Sequence, residues 1–302
     1  MQVHFGIEAL RPEWEAAVAC VGTFDGVHLG HRAVICEAVS IASTREQPCV
    51  LVTFDRHPAT ILRPESQPKL IASLDENLRL FEFLGVAVAI VLTFDQTLSE
   101  TGATEFLDRV LVGAIRAKAL VLGHDFAFGR GREGTPEWLT KRIETHVVGA
   151  VEEGGRRVSS SAIRTAISEG RVEDASRWLG RPFEISAVVV PGQKLGKSLG
   201  FPTVNLARSI DQVVPADGVY AGRCETPHGV FRAAVSVGVR PAVGGGVRTI
   251  EAYLLDYPGK SLYGASVRLE LLRRLREERD FESVDDLREQ IRLDVERVAA
   301  SV

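Results

Sequence analysis

Between residues 17 and 151, short apolar runs alternate with stretches whose apolar residues recur every three or four positions. The apolar runs are rich in β-branched residues, which is typical of strands buried on both faces of a parallel sheet. The intervening stretches have the period of amphipathic helices. The alternation predicts a doubly wound α/β domain with the strands AVACVGTF, CVLVTFD, VAVAIVLTFD, ALVLGHDF and THVVGAV.

The pattern changes near residue 180. Two short helices are predicted before Gly180, and after it come apolar runs that no helix separates: EISAVVV, GVYAGRCE, VFRAAVSVGV, TIEAYLLDY and ASVRLELL. Strands that follow one another through Gly and Pro turns predict an antiparallel sheet or small barrel. An amphipathic helix is predicted from about Ser283. We therefore predict two domains, residues 1–182 and residues 183–302.

Composition narrows the classes of partner. The 302 residues include 36 Lys and Arg against 40 Asp and Glu, so the net charge is −4. No basic block is present to neutralise a nucleic-acid backbone, and no apolar run approaches the roughly 20 residues that span a bilayer. The cysteines, Cys20, Cys36, Cys49 and Cys224, form no CxxC pair and lie in or beside apolar runs. We expect a cytoplasmic protein with buried thiols and no nucleic-acid or membrane partner.

The tripeptide Thr-Phe-Asp occurs three times, each time where a predicted strand ends: at 23–25, 53–55 and 93–95. The carboxyl ends of parallel strands share one edge of the sheet, and ligands bind at that edge in open α/β folds. The first two copies therefore indicate a functional site. The third copy is explained equally well as a good strand-to-turn sequence.

The segment VGTFDGVHLGH places His28 and His31 three positions apart, at the predicted start of a helix. The two imidazoles would lie on one face of the first turn, where free backbone N–H groups favour an anion. Gly30 leaves room for a nucleotide to approach the backbone. This pattern indicates a phosphate clamp. Two alternatives stay open on these residues alone: a metal site completed by His57 or His124, and two solvated histidines at a helix cap.

The segment PGQKLGKSLGFPTVNL indicates a second site. Gly192, Gly196 and Gly200 are four positions apart and would let backbone N–H groups approach phosphates. Thr203 and Asn205 are two positions apart, so on an extended segment they face the same side. A hydroxyl and an amide oxygen side by side suit Mg²⁺. Glycine turns in a small β domain are the alternative.

Several motifs together resemble a known family. VGTFDGVHLGH, VTFDRHP, VLGHDFAFGRGREG and RRVSSSAIRTAISEG resemble, in order and spacing, the adenylyltransferase domain of bacterial bifunctional riboflavin kinase/FAD synthetases. The PTVN segment, with PADGVYAG, VGVRP, TIEAYLLDY, LYG and LREERDFESVDDLREQI, resembles the riboflavin kinase domain of the same family. The resemblance implies a Greek-key barrel for the second domain. It also implies a multifunctional transferase that phosphorylates riboflavin to FMN and adenylylates FMN to FAD, with ATP as co-substrate, Mg²⁺, and pyrophosphate as a product.

The resemblance also implies roles for individual residues. His28 and His31 would hold the ATP phosphates and stabilise charge at the α-phosphorus, and Glu251 would accept the proton of the ribityl primary hydroxyl. Thr203 and Asn205 would bind the metal. The nucleotide-binding residues would be Gly22, Phe24, Gly30, Asp125, Ser159, Ser160, Arg164, Gly192, Lys197 and Gly200, and the flavin-binding residues would be Phe54, Pro58 and Phe126. Core packing is the alternative for Phe54, and helix capping is the alternative for the two serines.

The chain departs from the family pattern at three places. Thr23 stands where Asn is frequent, Ser161 and Ala162 stand where Thr-Arg is frequent, and RPAV at 240–243 replaces RPTF. Two other functions compete with the one implied. One is an HxGH nucleotidyltransferase for another phosphate substrate, such as a pantetheine or nicotinate nucleotide, and the other is a flavin-binding regulatory protein. The sequence does not predict an oligomeric state.

Overall fold

The computed structural model describes residues 1–8, 10–192, 196, 199–240 and 247–301. The chain forms two compact units, Met1–Ser160 and Ser161–Val302. The first contains a parallel sheet with helices and the second a closed barrel, which confirms the predicted fold class. The boundary at residues 182 and 183 stays a prediction. No helix in the described part of the chain combines the length and apolar character needed to cross a membrane.

The first unit alternates strands and helices along most of its length. In chain order its elements are β1 (Gln2–Phe5), β2 (Ala17–Val21), α1 (Leu29–Thr44), β3 (Cys49–Phe54), α2 (Ala59–Leu62), α3 (Leu74–Phe83), β4 (Val88–Leu92), α4 (Gln96–Glu100), α5 (Ala103–Glu105), a π-helical segment (Phe106–Ala114), β5 (Ala117–Gly123), α6 (Pro136–Leu139), β6 (Glu144–Val148), β7 (Glu152–Glu153) and β8 (Arg156–Arg157). Short 3₁₀ turns occupy Pro64–Ser66 and Arg130–Arg132.

Six parallel strands form the main sheet in the order β1-β4-β3-β2-β5-β6. The chain leaves β2 toward β3 on one side and reaches β5 on the other, so the strand order reverses beside β2. In open α/β sheets, ligands bind outside the carboxyl ends of the strands at such a reversal. The segment that follows β2 therefore occupies the favoured place for a site.

The two faces of the sheet explain the uninterrupted apolar strands. Every residue of β2 and β4 is buried. Ala17, Ala19 and Val21 pack in one cluster with the π-helical segment, whereas Val18 and Cys20 pack in another with α1. The prediction that all four cysteines are buried is wrong for one of them. Cys36 is exposed, because it lies on the side of α1 that faces away from the sheet.

Helix α7 (Ser160–Ser168) starts at the last residue of the first unit and otherwise belongs to the second. The second unit continues with α8 (Val172–Leu179), β9 (Phe183–Val190), β10 (Thr203–Arg208), β11 (Gly218–Thr226), β12 (Gly229–Arg240), β13 (Val247–Leu254), β14 (Ser266–Arg276) and α9 (Val284–Ser301). The strands close a barrel in the order β10-β13-β12-β11-β14-β9. Its neighbouring strands are antiparallel, and β9 alternates buried and half-buried residues along its whole length. Side chains of alternate residues therefore point to the core and to the outer face of the barrel.

Candidate functional site

The turn after β2 carries the HxGH segment. Its backbone is in the left-handed region at Phe24 (φ 46°), Gly26 (φ 79°) and Val27 (φ 40°). Two of these residues have a side chain, and Val is β-branched, so the turn is strained. His28 then becomes the N-cap of α1.

His28 and His31 lie together, as predicted. Their rings are stacked, with centroids 3.6 Å apart and planes 17° apart. The Nδ1 atom of His28 accepts a hydrogen bond from the backbone N–H of His31 at 3.2 Å. Because Nδ1 is an acceptor, a neutral His28 carries its proton on Nε2. One of the backbone N–H groups expected to face an anion is therefore already used by this cap.

Glycines make room for the aromatic rings around the pair. A Cβ atom on Gly30 would lie 3.1 Å from Cε1 of His28, and one on Gly22 would lie 3.1 Å from the ring of Phe24. The Phe24 ring is only 3% exposed and meets the ring of His31 edge to face at 5.4 Å. In this structure Gly22, Gly30 and Phe24 therefore support the histidines.

An open pocket with about 350 Å³ of empty space lies at the carboxyl ends of β2 and β3, and it is lined by Thr23, Asp25, Phe54, Asp55, Arg56, His57, Leu70, Ala72, Leu74 and Asn77. Burial raises the pKa of the Asp55 carboxyl, but hydrogen bonds from Arg56 and from the backbone N–H of Phe94 outweigh it. The pKa of Asp55 therefore lies below its usual value, so its carboxylate keeps a negative charge in the pocket wall.

The three Thr-Phe-Asp copies have different places. The first and second copies line the pocket through Thr23, Asp25, Phe54 and Asp55. In the third copy, Asp95 caps α4 by accepting a hydrogen bond from the N–H of Leu98 at 2.8 Å. The third copy thus has the turn-forming role that was its alternative explanation.

The three residues expected to bind flavin make different contacts. Phe54 lines the pocket and meets Phe94 edge to face at 5.4 Å. Pro58 is the N-cap residue of α2 and is not among the lining residues. Phe126 also lies outside the lining and stacks on Phe128 at 5.8 Å. Phe54 thus lines this pocket and the other two residues do not, and the apolar slot made by all three stays a prediction.

Asp125 follows β5, on the other side of the strand-order reversal. Its carboxylate is exposed and is paired with Arg157 at 2.6 Å. The expected pyrophosphate residues lie near the start of α7, where Ser159 and Ser160 are half-buried. Arg164 lies one turn further along α7 and belongs to the second compact unit.

In the barrel, strand register brings the predicted metal and base residues together. Asn205 on β10 lies directly opposite Glu251 on β13. The hydroxyl of Thr203 donates a hydrogen bond to Oε2 of Glu251 at 3.0 Å. Ile250 and Ala252 point into the barrel core, so Glu251 and its two neighbours lie on the outer face, where they are half-buried. The outer face of the barrel therefore carries a polar cluster.

Glycine makes this cluster possible. A Cβ atom on Gly192 would lie 2.0 Å from Nδ2 of Asn205, and one on Gly196 would lie 3.2 Å from Oγ1 of Thr203. Gly200 has φ 91°, a conformation that glycine adopts readily. Lys197 and the segment 241–243 lie outside the described residues.

The sequence places Asp25 in the first Thr-Phe-Asp copy, which indicates a functional site, but gives this residue no individual role. Asn77 was missed as a site residue. It has no local signal, because its partner in the turn is 51 positions away.

Metal binding was an alternative for the histidines. Among the residues that the structure describes, no three His, Cys, Asp or Glu side chains gather in a way that could hold a metal ion. His28, His31, His57 and His124 are all among the described residues. The alternative thus gains no support, whereas the oxygen-rich cluster on the barrel suits a hard cation.

The parallel sheet with its HxGH turn and the barrel with its Thr-Asn-Glu cluster together indicate a transferase. Two family models match the chain: FAD synthetase over residues 10–162 and riboflavin kinase over residues 179–302. The chain belongs to the family of bifunctional riboflavin kinase/FMN adenylyltransferases, as the sequence motifs predicted. It is an enzyme of flavin cofactor biosynthesis, and the two competing functions are not favoured.

The sequence is similar to those of curated relatives along nearly the whole chain. Bifunctional riboflavin kinase/FMN adenylyltransferases from Bacillus subtilis and Escherichia coli K12 are 33% and 35% identical, covering 94% and 93% of this chain and 92% and 91% of their own lengths. The Haemophilus influenzae protein of the same name is 33% identical and covers 99% of both chains.

A crystal structure from Streptococcus pneumoniae has the same fold, with a TM-score of 0.91 at 30% identity and 99% coverage of both chains. That protein is described as a macrolide-efflux protein. The likeness concerns the fold, since both family models and the curated relatives agree on flavin metabolism.

Proposed function

We propose that the two reactions of the family take place at the two clusters described above. The barrel phosphorylates riboflavin to FMN with ATP, and the sheet domain transfers AMP from ATP to FMN, giving FAD and pyrophosphate. The observation that supports this division is that each compact unit holds one polar cluster of the required chemistry. His28 and His31 are in the first, and Thr203, Asn205 and Glu251 are in the second.

In the sheet domain, His28 and His31 hold the ATP phosphates and stabilise the charge that develops at the α-phosphorus. Donors held in place before the reaction are effective because they need not reorganise in the transition state. The stacked rings and the cap from Nδ1 restrict the His28 imidazole to one orientation. Ser159, Ser160 and Arg164 contact the pyrophosphate, and Asp125 orients the nucleotide. Phe54 contacts the flavin from the pocket, together with Pro58 and Phe126 once the substrate is bound.

In the barrel, Glu251 accepts the proton of the ribityl primary hydroxyl as that oxygen attacks the γ-phosphorus of ATP, and ADP leaves as the bond between the γ-phosphorus and the β–γ bridging oxygen breaks. The hydrogen bond from Thr203 orients the Glu251 carboxylate. The backbone of Gly192 and Gly200 and the side chain of Lys197 contact the ATP phosphates.

The donor set on the barrel fits Mg²⁺. Thr203 would hold the ion through its hydroxyl oxygen and Asn205 through its amide oxygen, which are hard ligands. Bound there, the ion would neutralise negative charge on the ATP phosphates. A matched pair of variants tests this assignment. Thr203→Val should raise the Mg²⁺ concentration needed for half-maximal kinase activity, whereas Thr203→Ser, which keeps the hydroxyl, should leave it near the wild-type value. If Thr203→Val and Thr203→Ser needed the same Mg²⁺ concentration for half-maximal kinase activity, the assignment would be contradicted.

Product analysis tests the function as a whole. The purified protein, incubated with riboflavin, ATP and Mg²⁺, should form FMN and then FAD, and pyrophosphate should appear in amounts equal to FAD. With FMN supplied instead of riboflavin, FAD should form directly. Formation of neither product would overturn the proposal, and the same assay with pantetheine or nicotinate nucleotides would then test the other nucleotidyltransferase function.

The domain boundary at residues 182 and 183 is tested by comparing two fragments. Helix α8 packs against β9 and β14, its Trp178 and Leu179 are buried, and Glu173 accepts a hydrogen bond from the N–H of Arg274 at 3.2 Å. Fragment 183–302 lacks these contacts and fragment 161–302 keeps them. Burial of one large apolar side chain contributes roughly 1.5–3 kcal/mol, so the shorter fragment should be less stable by about 3 kcal/mol or more. Both should convert riboflavin to FMN, and an inactive but folded shorter fragment would move the functional boundary toward residue 160.

We propose a cytoplasmic location. Two observations are consistent with it: the cysteines are free, and no helix among the described residues could span a membrane. The net charge of −4 likewise favours small anionic ligands held by local positive groups over nucleic acid. Fractionation of the source cells, with the protein detected in each fraction, tests the location. Recovery in the membrane fraction would contradict it.

A further inference from the structure

The strained turn before His28 is held by a segment that is distant in sequence. Both oxygens of Asp25 accept a hydrogen bond from the N–H of Ile71 at 3.0 Å, and one accepts another from the N–H of Ala72 at 3.1 Å. The N–H of Gly26 donates to Oδ1 of Asn77 at 3.2 Å. Asp25 and Asn77 are buried, with 4% and 7% exposure. Strained backbone persists only where its surroundings impose it, and these four hydrogen bonds are such surroundings.

The held turn leads directly into the histidine pair. Val27, which has φ 40° and is 1% exposed, is followed at once by His28. If Val27 relaxed to a common backbone conformation, the cap residue of α1 would move, and the ring of His28 would leave its stacked position on His31. Asp25 and Asn77 also line the pocket at the carboxyl ends of β2 and β3. The same two side chains therefore shape the pocket wall and fix the histidines.

We infer that Asp25 and Asn77 are positioning residues for FMN adenylylation, acting through the strained turn on His28 and His31. The inference rests on the proposed role of the two histidines. Displacing a catalytic group by about 1 Å can lower a rate by about a hundredfold, so loss of the Asn77 contact should have a large effect on kcat.

Asn77→Leu tests the inference, because Leu has a similar size but cannot accept the hydrogen bond from Gly26. We expect kcat for FAD formation at saturating FMN and ATP to fall by roughly 10- to 100-fold, while riboflavin phosphorylation by the same protein stays unchanged. Asn77→Asp keeps an accepting oxygen and should recover most of the lost kcat. Its added charge should act mainly on the KM for anionic FMN. Asp25→Asn, which places an amide against the N–H groups of residues 71 and 72, should lower kcat as well.

Ser73→Ala is the matched control. Ser73 caps the same helix by accepting a hydrogen bond from the N–H of Glu76 at 3.0 Å, and it does not line the pocket. This variant weakens the start of α3 without removing the contact to Gly26, so its kcat for FAD formation should remain near wild type.

Imidazole NMR signals give a readout that a general loss of stability would not move. Stacked rings shift each other's resonances, so the signals of His28 and His31 in Asn77→Leu should move toward the values of exposed histidines. In Ser73→Ala they should not move. Three results would overturn the inference. These are a wild-type kcat for FAD formation in a folded Asn77→Leu protein, an equal loss of kcat in Asn77→Leu and Asn77→Asp, and imidazole signals of His28 and His31 that do not move in Asn77→Leu. An unchanged rate of FAD formation in His28→Ala would instead show that the proposed role of the histidines is wrong.

Discussion

The region around His28 and the region around Glu251 hold their polar side chains in place by different means. The histidines follow a turn with left-handed residues, and that turn is tied to a segment about 50 positions further along the chain. Glu251 lies in a regular strand, and its neighbours Thr203 and Asn205 face it through the register of adjacent strands. Both geometries need partners about 50 positions away in the sequence. Hydrogen bonds from side chains hold the strained turn in the first region, whereas the backbone register of adjacent strands sets the second.

This difference predicts where substitutions should act. Around His28, changes far along the chain should matter when they affect the turn. Around Glu251, substitutions should lower kinase activity when they crowd its immediate neighbours, Thr203 and Asn205. Four experiments test whether the two regions are independent in this way.

The largest effect is expected for His28→Ala. It removes one donor to the charge that develops in the transition state, so FAD formation should fall by roughly 10²- to 10³-fold. Riboflavin phosphorylation should be unchanged, as measured by separating FMN and FAD in timed samples. His146→Ala is the matched control, since His146 lies on β6 and pairs with Glu144. Parallel loss of both activities in His28→Ala would indicate a folding defect or a shared site. The two regions would then not be independent.

Glu251→Gln should have the next largest effect and the opposite selectivity. Gln has nearly the same volume but does not accept the proton effectively, so riboflavin phosphorylation should fall by roughly 10²-fold. Supplied FMN should still become FAD at close to the wild-type rate. Glu270→Gln provides the control, because Glu270 also lies on the barrel and pairs with Arg223. Wild-type kinase activity in Glu251→Gln would leave the base unassigned.

Gly192→Ala tests crowding by a neighbour. The added Cβ would come within 2.0 Å of the Asn205 amide, which can rotate away without unfolding the barrel. Kinase activity should fall about tenfold, and more Mg²⁺ should be needed to restore it. Gly149→Ala adds a Cβ that meets nothing within 4 Å and should change neither activity. A fully active Gly192→Ala protein would mean that the position of Asn205 is not critical.

The smallest effect concerns the charge in the pocket. The net pKa of Asp55 is lowered, because hydrogen bonds from Arg56 and the N–H of Phe94 outweigh the effect of burial. Its contribution to stability is therefore present above the unfolded value of about 3.9 and is lost as pH falls through the folded value. Asp55→Asn should reduce the difference in free energy of unfolding between pH 7 and pH 3 by about 1 kcal/mol or less. Urea unfolding at both pH values measures this difference, and an equal difference in free energy of unfolding in Asp55→Asn and the wild type would contradict the prediction.

Most of the fold could be predicted because the buried strands are continuous apolar runs. Strand β1 was missed, since its four residues are exposed or half-buried and give no apolar signal. Strand β10 was treated only as an extended segment, because it begins with polar residues that face the outer side of the barrel. The apolar spacing in ATEFLDRVLVGAI is typical of an ordinary amphipathic helix. Residues Phe106–Ala114 are instead π-helical, and the N–H of Ile115 donates to the carbonyl of Val110 five residues back. Hydrophobic periodicity does not distinguish that hydrogen-bond pattern.

The candidate sites were predicted unevenly for a related reason. His28 and His31 are close in sequence, and Thr203 and Asn205 are two positions apart on one strand, so local spacing places each pair. Asn77 meets Gly26 only because α3 packs beside the turn, which no local pattern reveals. The flavin-binding set stays a prediction, since Phe54 lines the pocket whereas Phe126 stacks on Phe128.

Strand β1 has a consequence for the order of events on the ribosome. It precedes β2 in the chain, yet within the described residues its one strand partner is β4, with Gln2 opposite Val88 and Phe5 opposite Val91. During synthesis it must therefore wait without its partner until more than 80 further residues have been added. Its Phe5 is 71% exposed even after pairing. We expect the nascent sheet to assemble from β2 and β3 outward, with β1 as a late addition that a bulky fusion next to Met1 would hinder.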